Sequence, residues 1–596
     1  MPFLPIDREE MEAQGIKRPD FVLVTGDAYI DHPSFGAAII GRILNRHGYS
    51  VCVLSQPDWT DPDIFLEFDK PRLAWLVTAG NIDSMVNHYT VAKRRRKEDA
   101  YTPGGKMGKR PDRASIAYSH TIRFVDDDAS IILGGIEASL RRLSHYDYWD
   151  DVVRRSILID SGADMLVYGM GEKAIIGIAD ALASGLSIND VIFIEGTVYK
   201  TKKPAYVPEN ALRLPTHQTQ KSDKTAYGEA FSIIEQNTDH LNTSPLVEKD
   251  GTFYIVQNIP APVLSREELD RVYDLPFMRK THPKIESQGH VPAIDEVKFS
   301  LTANRGCFGG CSFCALSMHQ GRRVVSRSKQ SIVNEAKALT QDESFKGYIH
   351  DVGGPTANFY GPSCDKQRMD GVCKNKACIG YRVCANLDVD HHGYVDILRD
   401  LRNIKEVKKV FIRSGVRFDY LMMDENRTFF KELIKHHVSG QLKVAPEHVS
   451  DHVLKMMNKP PHNVFEDFRE AFFAYTKEIG KEQYLIPYLI SSHPGSSLDE
   501  AIELAEYLNE TGFYPEQVQD FYPTPMTRST VMFHTGEDPL TKKPVYVAKT
   551  NEEKKQQRAL LQFDRPKNHE LVRKTLIKAG RSDLIGHGKH CLVPPR

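Results

Sequence analysis

The chain has 596 residues, 41% hydrophobic and 26% charged, and a net charge of −1 at pH 7. This is an ordinary globular composition, long enough for roughly four domains of ~150 residues, and it gives no global electrostatic case for nucleic acid. No run approaches the ~18 apolar residues of a membrane helix, and the acidic, polar start from Met1 to Gly15 is not a signal peptide, so a cytoplasmic protein without membrane contact is expected.

Phe21 to Thr25 reads as a short buried strand running into Gly26, and Ala37, Ala38, Ile40, Ile43 and Leu44 mark one face of a helix. Further apolar runs at 51–54, 74–77, 131–133 and 165–168 each lead toward a glycine or a helical pattern. Alternation of this kind predicts a doubly wound α/β domain within residues 1–197. Lys93 to Arg113 is a basic, glycine-containing insert. Phosphate or RNA contact is one reading, but no aromatic platform is interleaved through the charges, which favours a solvated loop beside Glu98 and Asp99. Residues 198–290 are polar and proline-punctuated and read as a connecting segment with small elements, a helix over 229–239 and a strand over 252–256.

From residue 291 the pattern alternates again. Strands are predicted at 297–303, 347–352, 407–414, 441–445, 484–490 and 517–521, each but the last followed by a helical pattern. The first strand leads into Cys307-x3-Cys311-x2-Cys314, with Gly306, Gly309 and Gly310 between. Three thiols in a compact loop suit three corners of a cubane iron–sulfur cluster and leave one iron free. Zinc with His319 as fourth ligand is the alternative. Seven of the nine cysteines lie between Cys307 and Cys384, which points to metal in a reducing compartment rather than to disulfides. An insert at 361–387 carries Cys364, Cys373, Cys378 and Cys384, a candidate second metal centre holding an iron–sulfur cluster or zinc. Residues 541–596 form a basic, partly helical tail expected to pack on the preceding domain.

The cysteine loop, with aromatic Phe313 before its third cysteine, resembles the signature of the radical SAM superfamily. Gly-Gly-Ile-Glu-Ala-Ser-Leu-Arg-Arg at 134–142, Gly-Gly-Pro-Thr-Ala-Asn at 353–358, the cysteine-rich insert and Val-Ala-Pro-Glu-His at 444–448 resemble the YgiQ family within it. The resemblance implies a partial (β/α)6 TIM-type barrel over 291–540 and a Rossmann-like, cobalamin-binding-like domain before it. It implies a 4Fe–4S cluster on Cys307, Cys311 and Cys314. S-adenosylmethionine on the open iron would be cleaved to methionine and a 5′-deoxyadenosyl radical by an electron from a donor such as flavodoxin or ferredoxin.

Gly353 and Gly354 resemble the Gly-Gly-Glu motif that meets the amino group of S-adenosylmethionine, with Pro355 in place of Glu. Arg413 is a candidate partner for the methionine carboxylate and Glu447 for the ribose or amino group. His493-Pro494-Gly495 resembles the turn that approaches adenine. A cobalamin-ligating domain usually carries Asp-x-His-x-x-Gly after its first strand. Here Asp31 and His32 are adjacent and Gly36 is four residues on, which argues against cobalamin. The substrate is unknown. A tRNA or ribosomal methylthiotransferase-like enzyme is one alternative and a non-catalytic iron–sulfur sensor or scaffold another.

Overall fold

A computed structural model describes residues 2–595. Five strands, β1 (Phe21–Thr25), β2 (Val51–Ser55), β3 (Ala74–Thr78), β4 (Ile131–Gly134) and β5 (Met165–Val167), form a parallel sheet in the order β2-β1-β3-β4-β5. Three helices cover it: α1 (Gly36–Arg46), α2 (Ala114–Val125) and α3 (Glu172–Ala183). Strand side chains alternate between faces. Val22, Val24, Trp75, Val77, Ile131 and Leu133 pack with Tyr118 and Ile122 of α2. Phe21, Leu23, Val53, Leu76 and Ile132 pack with Ala38 and Leu44 of α1 and Ile175 and Ile178 of α3. Covered on both faces, these strands are continuous apolar runs, which is why they were legible. The strand order reverses between β1 and β3, and such a reversal opens a crevice beyond the strands' carboxyl ends.

Residues 198–290 lengthen this sheet. After β6 (Thr197–Thr201) come β7 (Leu212–Arg213), β8 (Leu246–Asp250) and β9 (Phe253–Gln257). β6 runs antiparallel to β5, β9 to β6 and β8 to β9, and β7 lies parallel beside β8. Val198, Leu246 and Ile255 sit in the same cluster as Trp75. Half-polar strands of this kind, such as Leu-Val-Glu-Lys-Asp, give a weaker signal than the central ones. At the opposite edge, Val53 N–H donates to the Pro5 carbonyl at 2.8 Å.

The second half contains β10 (Ser300–Thr302), β11 (Tyr348–Ile349), β12 (Asp351–Gly353), β13 (Lys409–Val410), β14 (Gln441–Glu447), β15 (Tyr484–Ser491) and β16 (Gln519–Asp520). All pairings among them are parallel: β10 with β12, β11 with β13, β14 with β15 and β15 with β16. Helices α4 (Lys329–Leu339), α5 (His392–Arg402), α6 (His462–Glu478) and α7 (Leu498–Thr511) alternate with them. Leu301, Ile349, Val352, Val410 and Leu442 pack with Ile332 of α4, Leu398 of α5 and Phe468 of α6. The strand expected over 407–414 pairs in register only at Lys409–Val410, with a last ladder bond from the Phe411 N–H to the Ile349 carbonyl at 2.9 Å. Beyond them, the Arg413 and Ser414 N–H groups turn to the Asp351 carboxylate, at 2.8 and 3.0 Å. In the tail, Leu560 of α8 (Asn551–Leu561) and Leu576 of α9 (His569–Lys578) share a cluster with Leu504 and Leu508 of α7. Among the described residues no helix is long and apolar enough to cross a membrane.

Candidate functional site

The cysteine loop leaves β10 and is tied down on both flanks. Gly306 has φ +82, and a Cβ there would run into the Arg323 carbonyl, so the turn requires glycine. Its N–H donates to Gln320 Oε1 at 3.1 Å. Cys307 N–H donates to the Gly321 carbonyl and Cys314 N–H to the Cys311 carbonyl, each at 3.1 Å. Ser312 is fastened to the far side of the domain: its N–H donates to the Met457 carbonyl at 3.0 Å and its hydroxyl to the Met456 carbonyl at 2.6 Å. Asn458 Nδ2 donates to the Gly310 carbonyl at 2.9 Å.

Two further residues converge on the thiols. Thr356 Oγ1 lies 3.3 Å from Cys307 Sγ. Arg417 Nη1 donates to Cys311 Sγ at 3.6 Å, while its Nε and Nη2 bind the two oxygens of Asp419 at 2.8 and 2.5 Å. Burial alone would lower the Arg417 pKa, but Asp419 and the sulfurs of Cys311 and Cys307 hold it protonated. The guanidinium fits because residue 309 is glycine: a Cβ there would stand 2.6 Å from Arg417 Nη1 and 3.3 Å from Cys307 Sγ. Burial pushes the Cys307 thiol up and the Cys314 thiol up to about 12, so thiolates here call for a strong cationic partner.

The sequence-derived residues divide. Gly353 and Gly354 lie at the end of β12, where a Cβ on Gly353 would meet the Ser414 side chain and one on Gly354 the Asn304 side chain. Asn304 is buried and donates to the Thr356 carbonyl at 3.2 Å and to the Phe359 carbonyl, so its Oδ1 is turned away from both and has no partner. Glu447 ends β14 with φ +70, buried beside Lys459 at 3.7 Å. Burial raises its pKa against the pull of Lys459 and then Arg417, and its charge is felt at Cys314.

Arg413 does not join them. Its side chain is exposed and turned toward Glu296 at 3.9 Å; the arginine at the thiols is Arg417. The signal available in the sequence was Arg417-x-Asp419, a fixed guanidinium pair just after a glycine turn, whereas Arg413 was singled out for a guanidinium at the end of an expected strand. Thr356, Lys459 and Asn458 were also missed.

His319 Nδ1 lies 3.0 Å from Ser139 Oγ, in the first half of the chain, and burial lowers its pKa to about 4. His32 is likewise engaged by protein: Nδ1 accepts from the Ser34 N–H and Nε2 faces Arg279 Nη1, each at 3.1 Å. His493 is buried with Nε2 2.7 Å from Ser529 Oγ, which in turn lies 2.9 Å from Ser312 Oγ.

The cysteine-rich insert packs directly on the loop. Gln367 N–H reaches Cys364 Sγ at 3.3 Å and its Nε2 lies 3.9 Å from Cys378 Sγ, with Ser363 Oγ 3.3 Å from the same sulfur. Arg322 Nη1 donates to the Cys373 carbonyl at 3.2 Å, and Cys384 N–H to the Cys378 carbonyl at 3.0 Å. Cys307 and Cys378 border one apolar cluster around Phe308, Phe359 and Ile379. Among the described residues no three His, Cys, Asp or Glu side chains already converge on a single ion.

The family models follow this division. "Radical SAM N-terminal" matches residues 3–300, "Radical SAM superfamily" matches 301–508, and "Domain of unknown function (DUF3362)" matches 516–596. A UPF0313 protein of Clostridium botulinum (strain Okra / Type B1) is 53% identical over 594 residues, which is 100% of this chain and 92% of that protein. A UPF0313 protein of Clostridium perfringens (strain 13 / Type A) is 55% identical over 591 residues, 99% of this chain and 89% of that one. The chain belongs to the UPF0313 (YgiQ) family of radical SAM proteins. This UPF0313 protein is a radical SAM enzyme that uses a 4Fe–4S cluster and S-adenosylmethionine, and its relatives' names state no substrate. Among solved structures, it is similar to the radical S-adenosylmethionine methyltransferase TsrM of Kitasatospora setae bound to tryptophan and aza-SAM. That match has a TM-score of 0.45 and 14% identity, covering 85% of this chain and 74% of that one. It is also similar to the cobalamin-dependent S-adenosylmethionine radical enzyme OxsB with aqua-cobalamin bound. Here the TM-score is 0.46 and the identity 12%, covering 94% of this chain and 62% of that one.

Proposed function

We propose that Cys307, Cys311 and Cys314 hold the cluster, and that S-adenosylmethionine lies between it and the ends of β12 and β14. The observation that carries this reading is the convergence of Thr356 Oγ1 and Arg417 Nη1 on Cys307 and Cys311, in a loop whose Gly309 makes room for the guanidinium. Donors aimed at thiolate sulfurs spread their charge and orient them. When bound, the cluster supplies the one electron that cleaves the sulfonium to methionine and a 5′-deoxyadenosyl radical. Arg417 offsets negative charge at Cys311. Gly353 and Gly354 leave the backbone open to the ligand, Asn304 Oδ1 is available to its amino group, and Glu447 offers a buried carboxylate to ribose or amino hydrogens. The half after residue 291 is read as a partial (β/α)6 barrel and residues 1–197 as a Rossmann-like domain, with residues 198–290 continuing its sheet and the tail packed on the barrel. Cobalamin is not part of this reading, because both ring nitrogens of His32 are engaged within the protein. The reading places the enzyme in the cytoplasm, with a flavodoxin or ferredoxin as donor.

The test is direct. The reconstituted protein should absorb broadly in the visible and form 5′-deoxyadenosine with dithionite, and Ala at any one of Cys307, Cys311 or Cys314 should abolish both. Undiminished nucleoside formation by the triple-Ala protein would overturn the assignment.

A further inference from the structure

A cavity of about 470 Å³ lies between the two halves of the molecule. That is the size of a pocket for a small molecule. One wall is the crevice beyond the carboxyl ends of β1, β3, β4 and β5, where the strand order reverses; the other is the approach to the cysteine loop, from Thr302 and Asn304 to Gln320 and Gly354. The same cavity therefore touches the proposed S-adenosylmethionine end and the first domain's strand ends.

Its lining is chemically specific. Most of it is apolar, with Ile30, Phe35, Ile40, Ile136, Met170 and Leu316 among the walls. Glu172 is buried, with one carboxylate oxygen paired to Arg305 across the domain boundary and the other, Oε2, without a partner. Asn304 Oδ1, at the cysteine-loop end of the cavity, is the unpartnered acceptor already assigned to S-adenosylmethionine, which leaves Glu172 Oε2 for a second molecule. A buried acceptor left alone forfeits the hydrogen bond it had in water, so Glu172 Oε2 calls for a donor from a ligand. The amino termini of α1 and α3 also open on the cavity; Asn81 Oδ1 accepts from the Gly36 N–H of α1 at 3.2 Å, and the first turn of α3 has no side-chain cap. The remaining N–H groups of these first turns, that of α3 above all, favour an anionic or carbonyl oxygen. Gly134, in extended backbone with φ −153, lines the cavity, and a Cβ there would meet nothing within 4 Å.

We infer that this interdomain cavity is the substrate site. Its occupant is a small, mostly apolar molecule with an N–H or O–H donor for Glu172 and an acidic or carbonyl oxygen for the helix termini. A folded RNA or a protein would not enter it. The inference rests on the proposed position of cluster and S-adenosylmethionine beside Gly354, but its first test needs no turnover.

Anilinonaphthalene sulfonate has an apolar body, an N–H donor and an anionic group, and it serves as the probe. Titrated into the anaerobically purified full chain, it should bind at one site per molecule. Gly134→Leu and Gly36→Leu, which fill the cavity from two sides, should each weaken that binding at least about tenfold. Gly36 also has open space around an added Cβ, so the second variant secures the test if the first fails to fold. Plugged proteins that melt like the parent and still bind the probe undiminished would overturn the inference. In a second arm, the low-molecular-mass filtrate of a bacterial extract should accelerate 5′-deoxyadenosine formation. Acceleration by total tRNA and not by the filtrate would overturn it equally. A failure of the cluster assignment would silence the second arm and leave the probe titration intact.

Discussion

Arg417 has its guanidinium divided between two partners: Asp419 takes Nε and Nη2, which leaves Nη1 for Cys311. A lysine presents one point charge on a flexible stem and cannot serve both. Arg417→Lys should therefore keep the fold but lower iron retention and the rate of 5′-deoxyadenosine formation about 10- to 100-fold, the usual cost of losing a residue that supports metal ligands. Full iron content with a rate within about twofold of the parent would show that the contact with Cys311 is incidental. Glu447 illustrates the same dependence on neighbours. Its left-handed backbone sits at the register shift of β14 and turns the carboxylate inward beside Lys459. Neither the shift nor the inward turn has a sequence signature, whereas the three cysteines were legible because their spacing alone encodes the loop.

Among the elements, the insert at 361–387 rests against the cysteine loop through Ile379 and Cys378, and Asn458 packs against both Gly310 and Gly380. Four thiols within 21 residues, with little apolar content of their own, lack the makings of a core. A bound metal would gather them and staple the segment. The spacing lacks paired Cys-x2-Cys knuckles, which favours a cluster over zinc. The protein with Cys307, Cys311 and Cys314 all replaced by Ala should still retain about four irons per chain. About one zinc would make the insert a structural staple instead, and no metal with four freely alkylated thiols would leave it a lid. The central strands were legible because their apolar runs are covered on both faces. Within residues 198–290 the apolar run at 252–256 was legible as a strand and is β9, but its neighbours were not, since their polar residues match a loop until the partner strand is known. The expected strand at 407–414 fell short for a different reason: the Asp351 side chain replaces a neighbouring backbone as acceptor, a substitution that periodicity does not carry.

For the whole molecule, the buried histidines set a response to acid. Burial holds His145 at about 4, His448 and His493 at about 3, and His32 well below the ordinary value of 6.5. In the unfolded chain these rings take up protons below about 6.5; in the folded one they do not until the pH is far lower. Unfolding therefore binds protons in that window. Stability should fall as pH drops from about 6.5 toward 4, by up to about 1.4 kcal/mol per histidine per pH unit. Thermal midpoints measured from pH 8 to 5 should be level above about 7 and decline below it, and His145→Asn should flatten the decline. A midpoint unchanged between pH 7 and 5 would contradict the buried, neutral assignment. The sheet of the first half has a different bearing on handling. One edge strand, β2, has its outer rim occupied by the Pro5 carbonyl, and the other, β7, is only two residues long. Neither margin offers another molecule a long row of open amides and carbonyls. A tag or truncation that displaced the first few residues would uncover the Val53 amide on β2 and open that rim to stacking by a second molecule, with the cysteine loop itself untouched.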